Sequence, residues 1–411
     1  MSCCDTPAGL LPFEQALDRL LADVSPVQDN ETITPAQSVG RILAEDIISA
    51  VNVPPYTNSA MDGYAVHLTE KHPAAFRMIG RCLAGHPFTQ PVAEGECVRI
   101  MTGAQIPPGA NCVVIQENAT LIDEFTVAFR SGLKPDSNIR HAGEDIAEGS
   151  TVYAAGRVLN AADIAVLSAL GIAEVVVKRR LKVAVLASGD ELKSPGEQLN
   201  PGELYESNRP GINAMLGQMG IDIHDFGIIP DDPEKLKTAF LSAAEDCDAI
   251  ITTGGVSVGE ADYTKDILTE IGQVNFWKLA IKPGKPVAFG NISQATFFGL
   301  PGNPVSALVT FHQLAVPALR KMQGHQQLRN PVLTAIATSA FKTSPGRTDF
   351  QRGVLSYDDQ GRLSVRSTGA QGSHMLTSLT QANGYVILEP QSEPIKAGDT
   401  VKVQWFDSLL G

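Results

Sequence analysis

The chain has 411 residues, ample length for several domains with real cores. Hydrophobic residues make up 43% and charged residues 19%, a globular composition that excludes a disordered chain. The formal net charge of -13 gives an acidic surface that repels nucleic acid and anionic membranes, so neither is expected as a partner.

The six cysteines form no C-x-x-C and the eight histidines no H-x-x-x-H, which argues against a structural zinc site. Sparse, unpatterned cysteine fits a reducing compartment. The N-terminus reads as no signal peptide, and no apolar run approaches a membrane span, so a cytoplasmic protein is expected.

In chain order, residues 12–24 predict a helix with Phe13, Ala16, Leu17, Leu20 and Leu21 on one face. A second helix is predicted over 35–44, with Val39, Ile42 and Leu43 apolar. The Pro54–Pro55 pair then forces an extended path into a loop carrying Asn58, Ser59, Asp62 and Gly63, and a strand begins at Tyr64. Short strands separated by Pro and Gly clusters fill 76–140, as in a small barrel or sandwich. Thr102 and Gly103 sit at a strand exit. Arg140, Glu144 and Asp145 follow on a loop, either as a structural ion pair or facing a ligand. Residues 161–170 predict a helix capped by Asn160 and ended by Gly171, apolar nearly all round and so buried. The β-rich block reads as an insertion, giving expected domains of 1–47 with 144–179, 48–143, 180–326 and 327–411.

From Leu181 the pattern alternates strand and helix, with strands at 182–187, 223–229, 248–253, 274–281, 286–290 and 295–300. Asp232 and Pro233 make an N-cap and first-turn pair, and a long apolar helix opens near Pro304. Repeated βαβ units imply a mainly parallel sheet with helices on both faces. In such sheets ligands sit outside the carboxyl ends of the strands. The turns there carry Ser188 to Glu191, Asp231 and Asp232, Gly254 to Asp262, and Pro301 to Ser306.

Within the third of these turns, T-G-G-V-S-V-G-E-A-D-Y has the layout of an anion-binding loop. Gly254, Gly255, Ser257 and Gly259 let backbone N–H groups approach a phosphate. Glu260 and Asp262 are placed to hold a divalent metal against it, and Lys278, Lys282 and Lys285 follow. An ordinary βα turn with surface lysines accounts for this stretch taken alone, but the convergence of four turns on one rim favours a site. Residues 331–411 return to β patterning, a small closed barrel or sandwich, with Arg347, Arg352 and the Q-G-S-H at 371–374 open as ligand-facing or merely local groups.

N-S-A-M-D-G-Y-A-V at 58–66, R-I-M-T-G-A at 99–104, G-E-D-I at 143–146, S-G-D-E-L at 188–192, the glycine turn at 253–263, K-L-A-I-K-P-G-K-P at 278–286 and L-P-G-N-P-V-S at 300–306 together resemble the MoeA/gephyrin E-domain family, the molybdopterin molybdenumtransferases. The match runs in order along nearly the full chain. The resemblance implies a four-domain chain: an elongated helical and extended segment, an inserted β-rich domain, an α/β molybdopterin-binding domain and a C-terminal β-barrel-like domain. It also implies a homodimer with the site at the subunit interface. The implied reaction inserts molybdate into adenylylated molybdopterin, hydrolysing the adenylate with Mg2+ and releasing AMP and molybdenum cofactor.

Carried over by resemblance, Asp62, Thr102, Arg140 and Asp145 come from the partner subunit. Glu191, Asp231 and Asp262 surround metal and phosphate, and Lys278 and Lys282 hold anionic oxygens. Pro301 and Pro304 shape the pocket, while Arg352 and Ser373 reach in from the C-terminal domain. The adenylyltransferase that prepares the pterin is a candidate partner. An adenylyltransferase-like enzyme on the same scaffold and a gephyrin-like binding scaffold are the alternatives.

Overall fold

The computed structural model describes residues 9–130, 132–255 and 263–410. The described chain falls into two compact units. One lies within Met1–Glu31, Gly40–Ile42 and Val177–Gly411, the other within Thr32–Val39 and Leu43–Val176.

The first unit is built on a six-stranded sheet in the order Asp222–Ile229, Lys182–Ser188, Ala249–Thr253, Ala295–Leu300, Pro286–Ile292 and Gln273–Lys278. The first four strands are parallel; Pro286–Ile292 forms a hairpin with Ala295–Leu300 and runs against both its neighbours, so the edge strand Gln273–Lys278 again points with the first four. The expected strand 274–281 is two: Gln273–Lys278 ends before Ile281–Lys282, and between them the Leu279 N–H turns to the Lys285 carbonyl. Side chains alternate across the sheet with a period of two. Val183 and Val185 pack on one face with Ile212, Leu216 and Leu308. Ala184 and Leu186 pack on the other with Leu236, Phe240 and Leu268. Both faces are therefore covered, as parallel strands require.

The helix Phe13–Asp23 joins the first of these cores through Phe13, Ala16, Leu17 and Leu20, an i, i+3, i+4, i+7 stripe. Burying each leucine of that stripe contributes about 1.5–3 kcal/mol. Asp232 accepts from the Glu234 and Lys235 N–H groups and opens the helix Pro233–Asp246. The helix that starts at Pro304 continues through a π-helical turn, Phe311–Ala315, to Gln323 and ends at Gly324 in the left-handed region.

The C-terminal strands close on themselves. Thr348–Tyr357 pairs with Leu363–Ser367, then come Leu333–Ala337, Thr400–Trp405 and Gly384–Leu388, and the last returns to Thr348–Tyr357. This is a five-stranded barrel with no free edge between its members. Ile281–Lys282 adds alongside Thr348 and Asp349.

The second unit carries a six-stranded, mainly antiparallel sheet: Cys112–Ile115, Gly63–Val66, Glu96–Ile100, Ala75–Cys82, Thr126–Phe129 and Ala119–Leu121. Two expectations fail here. The predicted helix 35–44 is a single 3-10 turn, Pro35–Gln37; the Ser38 hydroxyl bonds back to the Pro35 carbonyl and Gly40 adopts φ +78, so the chain leaves helical geometry. The helix Ala161–Ala169 forms with the expected Asn160 cap, a capping box with Asp163, but only Asp163 and Leu167 of it are buried. Four of its apolar residues are alanines, small enough to remain at the surface, and Ile164 and Val166 are half-buried.

Candidate functional site

In the first unit, a cleft of about 760 Å³ opens at the carboxyl ends of the parallel strands. Ser188, Thr253 to Gly255 and Pro301 to Pro304, the turns that leave three adjacent strands, line it. Gly254 and Gly255 have φ of +87 and +63. A Cβ on Gly254 would sit 2.6 Å from the Ser188 carbonyl oxygen, and one on Gly255 2.4 Å from Thr264 Oγ1. Only glycine fits the turn, which brings the backbone close against the neighbouring strand end. The Gly254 N–H is spent on Leu300 O at 3.3 Å. Ser257, Gly259, Glu260 and Asp262 lie outside the described residues.

Three cations line the cleft: Lys282, Lys285 and Arg347. Lys282 Nζ donates to Ser344 Oγ at 2.8 Å and stands 3.2 Å from Asp349 Oδ2. That carboxylate is almost wholly buried in the barrel, so the barrel fixes the lysine's position. Ser373 lies on the 371–373 loop, which also lines the cleft, and its carbonyl accepts the Val305 N–H at 3.1 Å. This contact satisfies one of the free donors at the start of the Pro304 helix. Lys278 is exposed and is not among the lining residues.

The acids gather at the same rim. Glu191 lines the cleft, and its carboxylate lies over Gly189, where a Cβ would meet Glu191 Oε2 at 2.6 Å. Asp190 Oδ1 accepts the Asp231 N–H at 3.1 Å. Desolvation, then the charges of Asp190 and Glu191, raise the Asp231 pKa above the ordinary aspartate value. The raised value means that the folded chain holds this proton longer than the unfolded chain. The resulting cost is absent below the unfolded pKa and fully developed above the folded one. Asp231→Asn is therefore expected to raise the melting temperature of the metal-free protein slightly at neutral pH, by ~1 °C, and to leave it unchanged in acid. Thermal scans at the two pH values check this; a lower melting temperature at neutral pH would contradict it. Among the described residues, no three acid or histidine groups come together at metal-ligand spacing.

Arg352 is fully buried and does not line the cleft. Its guanidinium donates to Ser378 Oγ at 3.0 Å, Gly372 O at 3.3 Å and Phe350 O at 3.4 Å, and its backbone N–H donates to Gln371 Oε1. It braces the 371–373 loop from behind.

In the second unit, Asp62 Oδ1 accepts from both the Thr102 N–H at 2.8 Å and the Thr102 hydroxyl at 2.7 Å. These bonds, the backbone one first, lower the Asp62 pKa and keep it ionised. Arg140 is exposed, on a strand paired with Asn58 and Ser59 just before Asp62. Asp145 is exposed on a turn whose N–H bonds Val53 O. Among the described residues Arg140 makes no ion pair with Glu144 or Asp145; Glu144 instead accepts the His141 N–H. Sequence reasoning passed over Tyr205, Glu206 and Asn208, which also line the cleft. The available signal was the S-N at 207–208, a helix start on the same rim as the other turns.

Fold and cleft define a multidomain α/β protein whose sheet rim joins cations, acids and a glycine turn around one cleft. Comparison with known proteins narrows this. Residues 11–171 match the family model for the MoeA N-terminal region (domain I and II), 184–321 a probable molybdopterin binding domain and 334–406 the MoeA C-terminal region (domain IV). The chain is 44% identical over 404 residues to the molybdopterin molybdenumtransferase of Haemophilus influenzae, covering 98% of this chain and 100% of that one. It is 33% identical over 401 residues to molybdopterin molybdenumtransferase 2 of Mycobacterium tuberculosis H37Rv, covering 95% and 98%. The crystal structure of the molybdopterin biosynthesis moeA protein from Pyrococcus horikoshii superposes with a TM-score of 0.83 at 30% identity, covering 97% of this chain and 100% of that one. The chain belongs to the MoeA family.

Proposed function

We propose that the chain is a molybdopterin molybdenumtransferase of molybdenum cofactor biosynthesis. It inserts molybdate into adenylylated molybdopterin and releases AMP. The observation that carries this reading is the joining, at one sheet rim, of Lys282, Lys285, Arg347 and Ser373 with the Glu191 and Asp231 acids. Molybdate and the adenylate are both anionic, and fixed cations offset that charge without reorganisation during the step. Mg2+ bound there would draw charge from a phosphoryl oxygen and so favour attack by water at phosphorus. Glu191, Asp231 and Asp262 would hold it; the desolvation and the Asp190 and Glu191 charges that raise the Asp231 pKa fit a site that a cation relieves. Gly254, Gly255, Pro301 and Pro304 shape the floor.

Asp62, Thr102, Arg140 and Asp145 complete the site from a second copy of the chain in a homodimer. The adenylyltransferase-like alternative is not favoured, because similarity to the transferases runs through the N-terminal, central and C-terminal regions alike, and the scaffold is not favoured, because identity is 44% to a transferase matched over its whole length against 33% to a gephyrin matched over 62% of its length.

Purified protein given adenylylated molybdopterin, molybdate and Mg2+ is expected to release AMP and to activate an apo-molybdoenzyme. AMP loading from ATP and molybdopterin without that activation would sink the reading. Lys278→Ala and Asp262→Asn are expected to fold normally and lose transfer. If the site draws on two copies, mixing Asp62→Asn with Lys282→Met protein restores about a quarter of wild-type activity, since half the dimers then carry one intact site. No recovery on mixing would place all the groups on one chain.

A further inference from the structure

Glu206 and Asn208 line the cleft, are 2% and 8% exposed, and each keeps a buried oxygen without a hydrogen-bond partner. Glu206 Oε1 accepts the Arg209 N–H at 2.8 Å, while Oε2 forms an ion pair with Arg209 Nε at 3.6 Å but no hydrogen bond. Asn208 Nδ2 donates to the Gly302 carbonyl at 2.8 Å, which anchors the amide to the turn after the central strand and leaves Oδ1 unused. Buried polar atoms without partners are rare in folded proteins and weaken the fold that carries them. Two acceptors in this state on one wall of a ligand cleft point to a ligand that brings donors. The preceding Leu204 and Tyr205 line the same cleft and are 50% and 45% exposed, an apolar and aromatic surface beside the two acceptors.

We propose that Tyr205, Glu206 and Asn208 form the subsite for the aminopyrimidinone ring of the pterin, with Tyr205 against the ring face and the two side-chain oxygens accepting from its N–H edge. This rests on the function proposed above. The edge chemistry selects the pterin over the adenine of the same substrate. A 2-amino-4-oxo pteridine presents its ring N3–H and exocyclic amino group side by side, two adjacent donors. Adenine sets its amino donor beside a ring-nitrogen acceptor, which a carboxylate repels. The assignment also separates two tasks along the chain: residues 204–208 read the heterocycle, and residues 282–285, 347 and 371–373 hold oxyanions.

The test titrates the full chain with fluorescent 6-hydroxymethylpterin, with AMP and with tungstate. Glu206→Gln and Asn208→Leu are expected to weaken pterin binding about tenfold, the loss of one charge-assisted or buried hydrogen bond, and to leave tungstate binding within about twofold. Tyr205→Ala, at an exposed position that does not threaten the fold, is expected to weaken it about fivefold. Three results overturn the subsite: unchanged pterin affinity in all variants, loss of AMP affinity instead of pterin affinity, or no pterin binding by wild-type protein that still converts the adenylylated substrate. Absence of conversion by wild-type protein that binds the pterin normally, with the expected losses in the variants, rejects the proposed reaction and leaves the subsite standing.

Discussion

Replacing Lys282 by methionine is expected to lower molybdenum transfer by about a thousandfold and, separately, to lower stability by about 2 kcal/mol. The two effects have different causes. Lys282 stands between the cleft and Asp349, whose carboxylate is almost wholly buried and also accepts from Gln351 Nε2 at 2.9 Å and Ser344 Oγ at 3.3 Å. Removing the lysine leaves a buried charge with only neutral donors. The stability cost falls below that of a fully buried pair because the lysine side chain is 41% exposed and already partly in water. Activity falls because a fixed positive charge at the oxyanion is gone. The double variant Lys282→Met/Asp349→Asn separates the two: neutralising the aspartate is expected to recover most of the stability and none of the activity. Denaturant titration and the transfer assay on the same preparations check this. Recovery of activity in the double variant would mean that Lys282 serves the fold and not the ligand.

The α/β layer was legible because its pattern is redundant. Strand, turn and helix recur with caps such as Asp232–Pro233, and each turn at the carboxyl ends carries chemistry. The pattern therefore places Ser188, Gly254, Pro301 and Glu191 on one rim from the sequence alone. The barrel's closure was less legible, since period-two strands read alike in a barrel and a sandwich. The 35–44 segment misled for a different reason. Its apolar spacing suits a helix, but the backbone at Ile42 and Leu43 is held in strand-like bonds, with the Lys178 N–H on Ile42 O and the Leu43 N–H on Arg157 O, while both side chains are buried. Tertiary partners overrode local propensity there. Residues 190–206 have no periodicity at all, which hid Tyr205 and Glu206. The bond from Thr102 to Asp62 joins residues forty positions apart, beyond what a linear pattern carries.

Arg352 is the residue whose expected role the coordinates alter most, and its truncation to alanine carries the largest expected loss of stability, about 3–5 kcal/mol. The resemblance implied an arginine reaching into the site. Its strand, Thr348–Tyr357, is instead buried on both sides over Asp349 to Gly353, so the guanidinium never reaches water. Burial lowers its pKa without making it neutral at physiological pH. All three of its acceptors are uncharged, and one of them, Gly372 O, belongs to the loop that presents Ser373 to the cleft and bonds the Pro304 helix. We therefore propose Arg352 as a positioning residue that acts through that loop, its charge offset in part by Asp349. Arg352→Ala opens a cavity, frees the loop and should cut transfer by about a hundredfold together with stability. Arg352→Met fills the volume without the donors or the charge, so it should recover roughly half the stability while the KM for molybdate stays raised. Arg352→Lys keeps the charge and should recover part of that KM. A wild-type melting curve for Arg352→Ala with transfer abolished would show the opposite, an arginine that leaves its buried seat to touch the ligand.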